Sequence, residues 1–411
     1  MNNQDLKIGT AFISMIYFPL GFLVSLIEVI NGYRWGNFLF AFILGLLAFS
    51  LIPYSDWDLT RHYETYLSYN NTSFSEVWEQ SDNRYLVINT IIYLFNTFAI
   101  KKEFLPFFAV FISYLFYLNV FSKFIREKKP NILIRSIYLY ILLTVIPFFA
   151  IASSLRQYLA FSIILYYIII TYCSKQDRRT FLISFPLVVM AIGIHPSVIL
   201  LIALFLFSRF IRLNRIVVLL IFFILVLNFN GYISIQLFKL FKPLLMNTGF
   251  YYPEYMDAEV IHMNNQLLST NEFILNKLIL PSIFYLLIPV FLIFYKKSNS
   301  KQEKQLKNYC ALLLLTICLL SLSPDLFYRF SIFWTLFYSY IYFTYDSERM
   351  SLPAKQCYLV IIIVASCVIN LAQANMGKKI IYNSWGSFFY QPSLFVFVKE
   401  IKTTDYINVS Q

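Results

Sequence analysis

Charge is scarce in this chain: 13% of its 411 residues are Asp, Glu, Lys or Arg, while 59% are hydrophobic. The apolar residues come in long runs broken by short polar patches, which excludes a soluble two-domain protein. Cys173, Cys310, Cys318, Cys357 and Cys367 lie within or at the ends of apolar runs, with no CxxC pair and no histidine nearby to share a metal. They read as small core residues. Also missing are a Walker A lysine loop, a GxSxG elbow, an HExxH pair and a GxGxxG between strand and helix. Nothing therefore indicates ATP-driven or dinucleotide chemistry, and no cofactor is called for. Inverted repeats of the transporter kind are not evident and mid-helix charges are few, which argues against an ion-coupled carrier. The first run has neither a basic cluster before it nor a small-residue cleavage site after it, so it is expected to be a retained helix.

What is present is a series of membrane-length segments. A hydrocarbon core about 30 Å thick is crossed by ~20 apolar residues, and Ile8 to Ile30, Phe273 to Tyr295 and Gln356 to Ala374 meet that length. Shorter runs must tilt, thin the bilayer or end early around a cavity. The predicted fold class is an all-α polytopic membrane protein with spanning helices at 8–30, 36–53, 104–121, 136–152, 158–173, 181–194, 196–208, 216–230, 273–295, 309–323, 327–345 and 356–374. These form a single transmembrane domain, 1–374, with outer loops 54–103 and 231–272 and an extracytoplasmic tail, 375–411.

Sidedness follows from the basic residues. Ser122 to Arg135, Ser174 to Arg179, Arg209 to Arg215, Lys296 to Lys307 and Asp346 to Lys355 are each separated from the next by a pair of apolar runs. All therefore fall on one side, which the positive-inside rule makes cytoplasmic. With Arg34, that side holds 19 Lys and Arg against 5 acids, and the other 14 against 15, with Glu28 left inside the first helix. The net charge of +12 thus orients a membrane protein and does not point to nucleic acid. Leu86 to Ile100 is apolar but short, carries Asn89 and Asn96, and is followed by Lys101, Lys102 and Glu103. It is expected to lie at the membrane surface. The competing arrangement, in which it spans, would turn the first loop to the cytoplasm and leave everything after it in place.

Polar residues with chemical potential collect on the outer side. Tyr54-Ser55-Asp56-Trp57-Asp58-Leu59-Thr60-Arg61-His62-Tyr63-Glu64 follows the second helix and places carboxylates, a guanidinium and an imidazole at the bilayer edge. A carboxylate there can serve as a general base or orient a sugar hydroxyl; equally, Asp56 or Asp58 can cap the next helix. Arg156 sits in the turn Ser153 to Gln157 between apolar helices. A charge at membrane depth costs up to about 3 kcal/mol and calls for compensation: headgroups, an ion pair, or an anion matched to its fork of donors. His195-Pro196 separates two short runs, a pattern that lines cavities, where the ring would be a proton acceptor or phosphate contact if it is not merely packed. Asp325 and Arg329 flank an outer turn at helical spacing, and Arg329 is a second cation for an incoming anion. The loop 231–272 carries Tyr251, Tyr252, Glu254, Tyr255, Asp257, Glu259 and His262, suited to a lid or to a platform for sugar rings.

These features together resemble the EpsG-like family of polysaccharide polymerases, which includes many bacterial O-antigen polymerases. The resemblance rests on Asp58-Leu59-x-Arg61-His62-Tyr63 after the second helix, on Ser154-Leu155-Arg156-Gln157-Tyr158-Leu159-Ala160 opening a helix, and on Gly193-Ile194-His195-Pro196-Ser197 between short helices. It covers roughly Tyr54 to Leu200; Asp56 adds a second carboxylate to the pattern. The resemblance implies a multi-spanning glycosyltransferase similar to the GT-C type, with a surface helix in its first outer loop and an active site on the outer face of the bacterial inner membrane. It implies as substrate an oligosaccharide repeat linked through pyrophosphate to undecaprenol, the growing chain passing onto the non-reducing end of a new repeat, with a chain-length regulator as a partner alongside the lipid bilayer.

Under that reading Asp58 is the leading base, with Asp56 and His195 as rivals; Arg156, Arg329 and Arg61 stabilise the pyrophosphate. His62, Tyr63, Gln157, Tyr251 and Glu254 are expected to contact the acceptor. The arginines can neutralise the leaving group without a metal, although Asp56-Trp57-Asp58 leaves room for one. A lipid-linked oligosaccharide flippase would instead distribute its arginines on both faces of a central cavity. A membrane acyltransferase would place a His or Asp on the inner side, where none of the histidines falls.

Overall fold

The computed structural model describes residues 9, 16–70, 72–80, 85–146, 148–171, 178–211, 214, 216–220, 223, 287–293, 295, 298–320, 324–376, 378–385, 392–398 and 400–407. These are almost wholly helical, and no strand occurs among them. The chain gathers into two compact units: Met1–Tyr140, Pro147–Leu200 and Ala374–Gln411 in one, Ile141–Ile146 and Leu201–Gln373 in the other.

In the first unit, α1 (Phe18–Asn31) and α2 (Arg34–Phe49) form a hairpin. Gly32 closes it in the left-handed conformation (φ +84°), its N–H and that of Tyr33 returning to carbonyls of the last turn of α1. Only glycine takes that φ without crowding its own Cβ. Three shorter helices, α3 (Asp58–Ser68), α4 (Phe74–Gln80) and α5 (Leu86–Thr97), precede the long α6 (Phe104–Lys128). Helix α6, at 25 residues, is long and apolar enough to cross a membrane by itself. It packs antiparallel on α2, where Asn37 Nδ2 donates to the Leu118 carbonyl (3.1 Å) and Ser122 Oγ (2.8 Å) in otherwise apolar surroundings.

Helix α5 has 12 residues, about 18 Å, well short of the hydrocarbon thickness. Its polar side is bound to α3: Asn96 Nδ2 donates to the Tyr66 carbonyl (2.9 Å), and Tyr66 Oη to the carbonyl of Ile100 just beyond α5 (2.9 Å). Both bonds run along the end of the unit where α6 begins.

The run expected as one span at 136–152 is divided into α7 (Ile132–Val145) and α8 (Phe148–Ser154), with Pro147 between them in the sequence. The chain breaks again at Leu155, and α9 (Gln157–Tyr166) continues as a π-helical turn, Tyr167–Thr171. Helix α10 (Arg178–Ile194) ends at His195, and α11 (Val198–Phe207) begins two residues after Pro196.

The residues after Ala374 belong with the first unit. Helix α14 (Leu352–Met376), from the second unit, leads to α15 (Lys378–Trp385) and the short turns Ser393–Val398 and Thr403–Asp405. Trp385 Nε1 donates to the Leu47 carbonyl (3.0 Å), and the Ile52 N–H donates to Ser384 Oγ (2.9 Å). Phe397 stacks on Phe104 and meets Phe49 edge to face, Lys101 Nζ donates to the Phe397 carbonyl (3.0 Å), and the Ile401 N–H donates to buried Glu103 (2.8 Å). The described residues of the segment expected as the extracytoplasmic tail thus pack on the first unit.

In the second unit, α12 (Lys301–Leu319) and α13 (Pro324–Ile341), the latter continued by a π-helical turn Tyr342–Asp346, pair through Trp334 Nε1 donating to the Cys310 carbonyl (3.0 Å). Three basic linkers that charge placed on one side meet here. Lys307 pairs with Asp346 (2.6 Å), Arg349 with Glu303 (2.5 Å), and Asn308 bonds to Tyr295 Oη (2.6 Å) and the Ile211 carbonyl (2.9 Å).

Several helices leave a row of large apolar side chains uncovered: Leu20, Leu23 and Ile27 on α1, and Val360, Val364, Val368 and Leu371 on α14. Uncovered apolar rows at helical spacing suit lipid, not water. Cys357 and Cys367 lie on that uncovered side of α14, so of the described cysteines only Cys310 is the core residue expected.

Candidate active site

Helix α3 begins at Asp58, where the helix dipole favours a carboxylate in the first turn. The cap residue is Trp57, which makes no side-chain cap bond, so neither Asp56 nor Asp58 plays the capping role the sequence allowed. Thr60 Oγ1 instead donates to the Tyr54 carbonyl (2.7 Å) and tightens the turn. Asp56 is exposed. Asp58 pairs with Arg61 one turn on, whose side chain is 70% exposed, so the Arg61 guanidinium is engaged by Asp58 at the surface.

Spacing of four residues puts His62 over Asp58 and Tyr63 over Leu59. His62 is 8% exposed and Tyr63 not at all. Tyr63 is therefore no acceptor contact on the open side: it packs inward, under Lys102 Nζ at 5.2 Å from its ring centroid, where burial and then the neighbouring Glu103 and Tyr406 push its hydroxyl pKa up.

His62 reaches the break between α8 and α9. Burial lowers its pKa to about 4, the charge of Arg156 adding to that, with Asp58 and a hydrogen bond to the Ser154 carbonyl opposing. Among the described residues its Nε2 has no hydrogen-bond partner, which leaves Nδ1 as the donor to Ser154 and the Nε2 lone pair open. At the break, Leu155 is held left-handed (φ +52°) with its side chain buried and its N–H bonded to the Ile151 carbonyl (3.1 Å). A non-glycine residue there costs roughly 1–2 kcal/mol, and the reversal turns the next side chain, Arg156, out of the helix line.

The Arg156 guanidinium lies on the Tyr85 ring, Cζ 4.2 Å from the centroid, and no carboxylate among the described residues pairs with it. Tyr85 in turn touches the His195 ring, centroids 5.6 Å apart. The Ser197 N–H donates to His195 Nδ1 (3.3 Å), and Ser197 Oγ lies 2.8 Å from the same nitrogen. The glycine of the same motif has its own purpose. A Cβ on Gly193 would collide with Val87 Cγ2, so only glycine lets the start of α5 close on the end of α10 and bring Tyr85 to His195.

Asp58, His62, Arg156, Tyr85 and His195 thus form one continuous polar group in the first unit. Gln157, next to Arg156, is buried at the start of α9. Arg329 lies on α13 of the second unit. Tyr251 and Glu254, with the rest of the loop 231–272, and the side chain of Asp325 lie outside the described residues. Among the described residues no three His, Cys, Asp or Glu side chains converge as metal ligands. Sequence reasoning missed Tyr85, whose only signal was an aromatic residue at the start of the surface segment.

A helical membrane protein whose first unit holds an arginine on a tyrosine face, two imidazoles and a carboxylate is the class defined by fold and site. The chain belongs to the EpsG family, whose model matches residues 8–384, and the family's broad role is that of a polysaccharide polymerase. No curated protein and no solved structure matches it.

Proposed function

We propose that the protein polymerises a bacterial surface polysaccharide of the O-antigen kind, moving the growing glycan from undecaprenyl pyrophosphate onto the non-reducing end of a lipid-linked repeat at the outer face of the inner membrane. The observation that carries the reading is Arg156: a guanidinium between apolar helices, held on the Tyr85 ring with no carboxylate on its N–H edge among the described residues, suits a lipid pyrophosphate. As the anomeric C–O bond to the pyrophosphate breaks, negative charge grows on the leaving oxygens, and Arg156 with His195 would stabilise it. The acceptor hydroxyl forms the new C–O bond and gives its proton to Asp58, the leading base. The open Nε2 of His62, one turn from Asp58, supports the expectation that His62 meets the acceptor. Arg329, Tyr251 and Glu254 stay with this proposal as further contacts, and a chain-length regulator as a partner.

The test is the surface-polysaccharide ladder of a deletion strain complemented with wild type, Arg156→Ala or Asp58→Asn. Loss of one such charged group costs on the order of 10²–10³ in rate, so the variants should insert normally and leave single repeats. A flippase would instead lose all surface repeats, and wild-type ladders from both variants would remove these residues from the chemistry.

A further inference from the structure

We infer that Tyr85 is a positioning residue of this reaction, its ring face holding the Arg156 guanidinium flat beside the His195 ring so that the guanidinium presents its N–H groups to the anion. The inference rests on the polymerase reading above and names a residue outside the family motifs quoted for it.

The argument starts from how an arginine can be held without being used up. A carboxylate partner would occupy the same N–H edge that a phosphate needs, and would cancel the charge. An aromatic face binds the guanidinium through its π surface and leaves the in-plane donors free. Arg156 has the second arrangement: Cζ lies 4.2 Å from the Tyr85 centroid, and its side chain has no ion pair or hydrogen bond among the described residues. Tyr85 also touches the His195 ring at 5.6 Å, tilted by 54°, so one ring sets the spacing between the two side chains. His195 is separately fixed by Ser197.

The location of Tyr85 adds a second point. It stands at the cap position of α5, whose first turn is pressed on α10 at Val87 and Gly193 and whose far end is bonded to α3 through Asn96 and Tyr66. The surface helix therefore has a defined task in the first unit: it carries an aromatic face that joins the Ser-Leu-Arg-Gln motif to the Gly-Ile-His-Pro-Ser motif. Among the described residues no hydrogen bond or ion pair ties Arg156 to the second motif, so without the ring the guanidinium would be free to rotate away.

The experiment uses the full chain in membranes of the deletion strain, supplied with the lipid-linked repeat extracted from that strain. Wild type, Tyr85→Phe, Tyr85→Trp, Tyr85→Leu, Arg156→Ala and the double variant Tyr85→Leu/Arg156→Ala are compared for polymer rate at high and low repeat concentration and for protein level. Tyr85→Phe and Tyr85→Trp keep the face and should stay within about twofold of wild type. Tyr85→Leu should lose roughly tenfold in rate at saturating repeat, and the double variant should be no slower than Arg156→Ala alone. Should Tyr85→Leu fail to accumulate, Tyr85→Gln carries the same expectation. Wild-type rates from Tyr85→Leu, an equal loss from Tyr85→Phe, or a full additional loss in the double variant would each overturn the assignment while leaving the polymerase reading intact. Failure of the wild-type gene to restore long chains would overturn both.

Discussion

Ile407 is hydrogen-bonded on both sides to the turn that leads into Asp58: its N–H donates to the Pro53 carbonyl and its own carbonyl accepts from the Ser55 N–H, each at 3.0 Å. The last described residue of the chain therefore fixes the backbone from which the leading base projects. Ile407→Pro removes the donor and orphans the Pro53 carbonyl, at about 1–3 kcal/mol. The expected outcome is a lower thermal midpoint of the detergent-purified protein and shortened polymer. Ile407→Ala keeps both backbone bonds and should retain longer chains than Ile407→Pro; equal polymer lengths from the two would show that the bonds do not matter to the site.

Gly193→Ala sets two effects against each other. Alanine favours the helix by up to about 1 kcal/mol over glycine, but its Cβ meets Val87, and overpacking costs about 1–3 kcal/mol. Because the valine is stiff at χ1, the clash should win and push α5 off α10, separating Tyr85 from His195. Polymer rate should fall more than stability does, and Val87→Ala in the same chain should restore it.

His62 provides a pH test. Its folded pKa, about 4, lies below the ordinary value of 6.5, so below pH 6.5 the unfolded chain binds a proton that the folded one refuses. The stability it contributes is full above 6.5 and is lost as pH falls toward 4. Between pH 7.5 and 5 that amounts to about 2 kcal/mol. Thermal unfolding at both values should show a larger drop for wild type than for His62→Gln; parallel drops would mean the ring is not held neutral by its surroundings.

Lys307 and Asp346 are both buried, 2.6 Å apart, with Glu303 at 3.1 Å from the lysine. Lys307→Met leaves the Asp346 carboxylate without its cation, and breaking a buried pair costs about 3–5 kcal/mol. Lys307→Met/Asp346→Leu should recover most of it. Yield and thermal midpoint measure both, and an additive double variant would show that the pair is not coupled.

Much of this was readable from periodicity and charge. Uninterrupted apolar runs can be stable only in lipid, and Arg34 and the basic linkers fix which ends go together; the contacts among 211, 295–308 and 346–349 agree with that grouping. The motifs around Asp58, Arg156 and His195 were visible too, because polar residues among apolar ones are conspicuous. Their partners were not. Tyr63 looked like part of the motif, yet helical spacing turns it inward with Leu59. The packing of the tail was not readable either, because neither a backbone bond from Ile407 to Pro53 nor an Ile401 N–H on Glu103 leaves a trace in composition.

The sequence by itself determined the all-helical character of the fold and the residue types available for chemistry, since these depend on local hydropathy and spacing. Only the tertiary structure decided which of those residues share a site. That depended on a left-handed Leu155 turning Arg156, on the missing side chain of Gly193 admitting α5, and on Tyr85 arriving from that helix, all of them contacts between segments far apart in the chain.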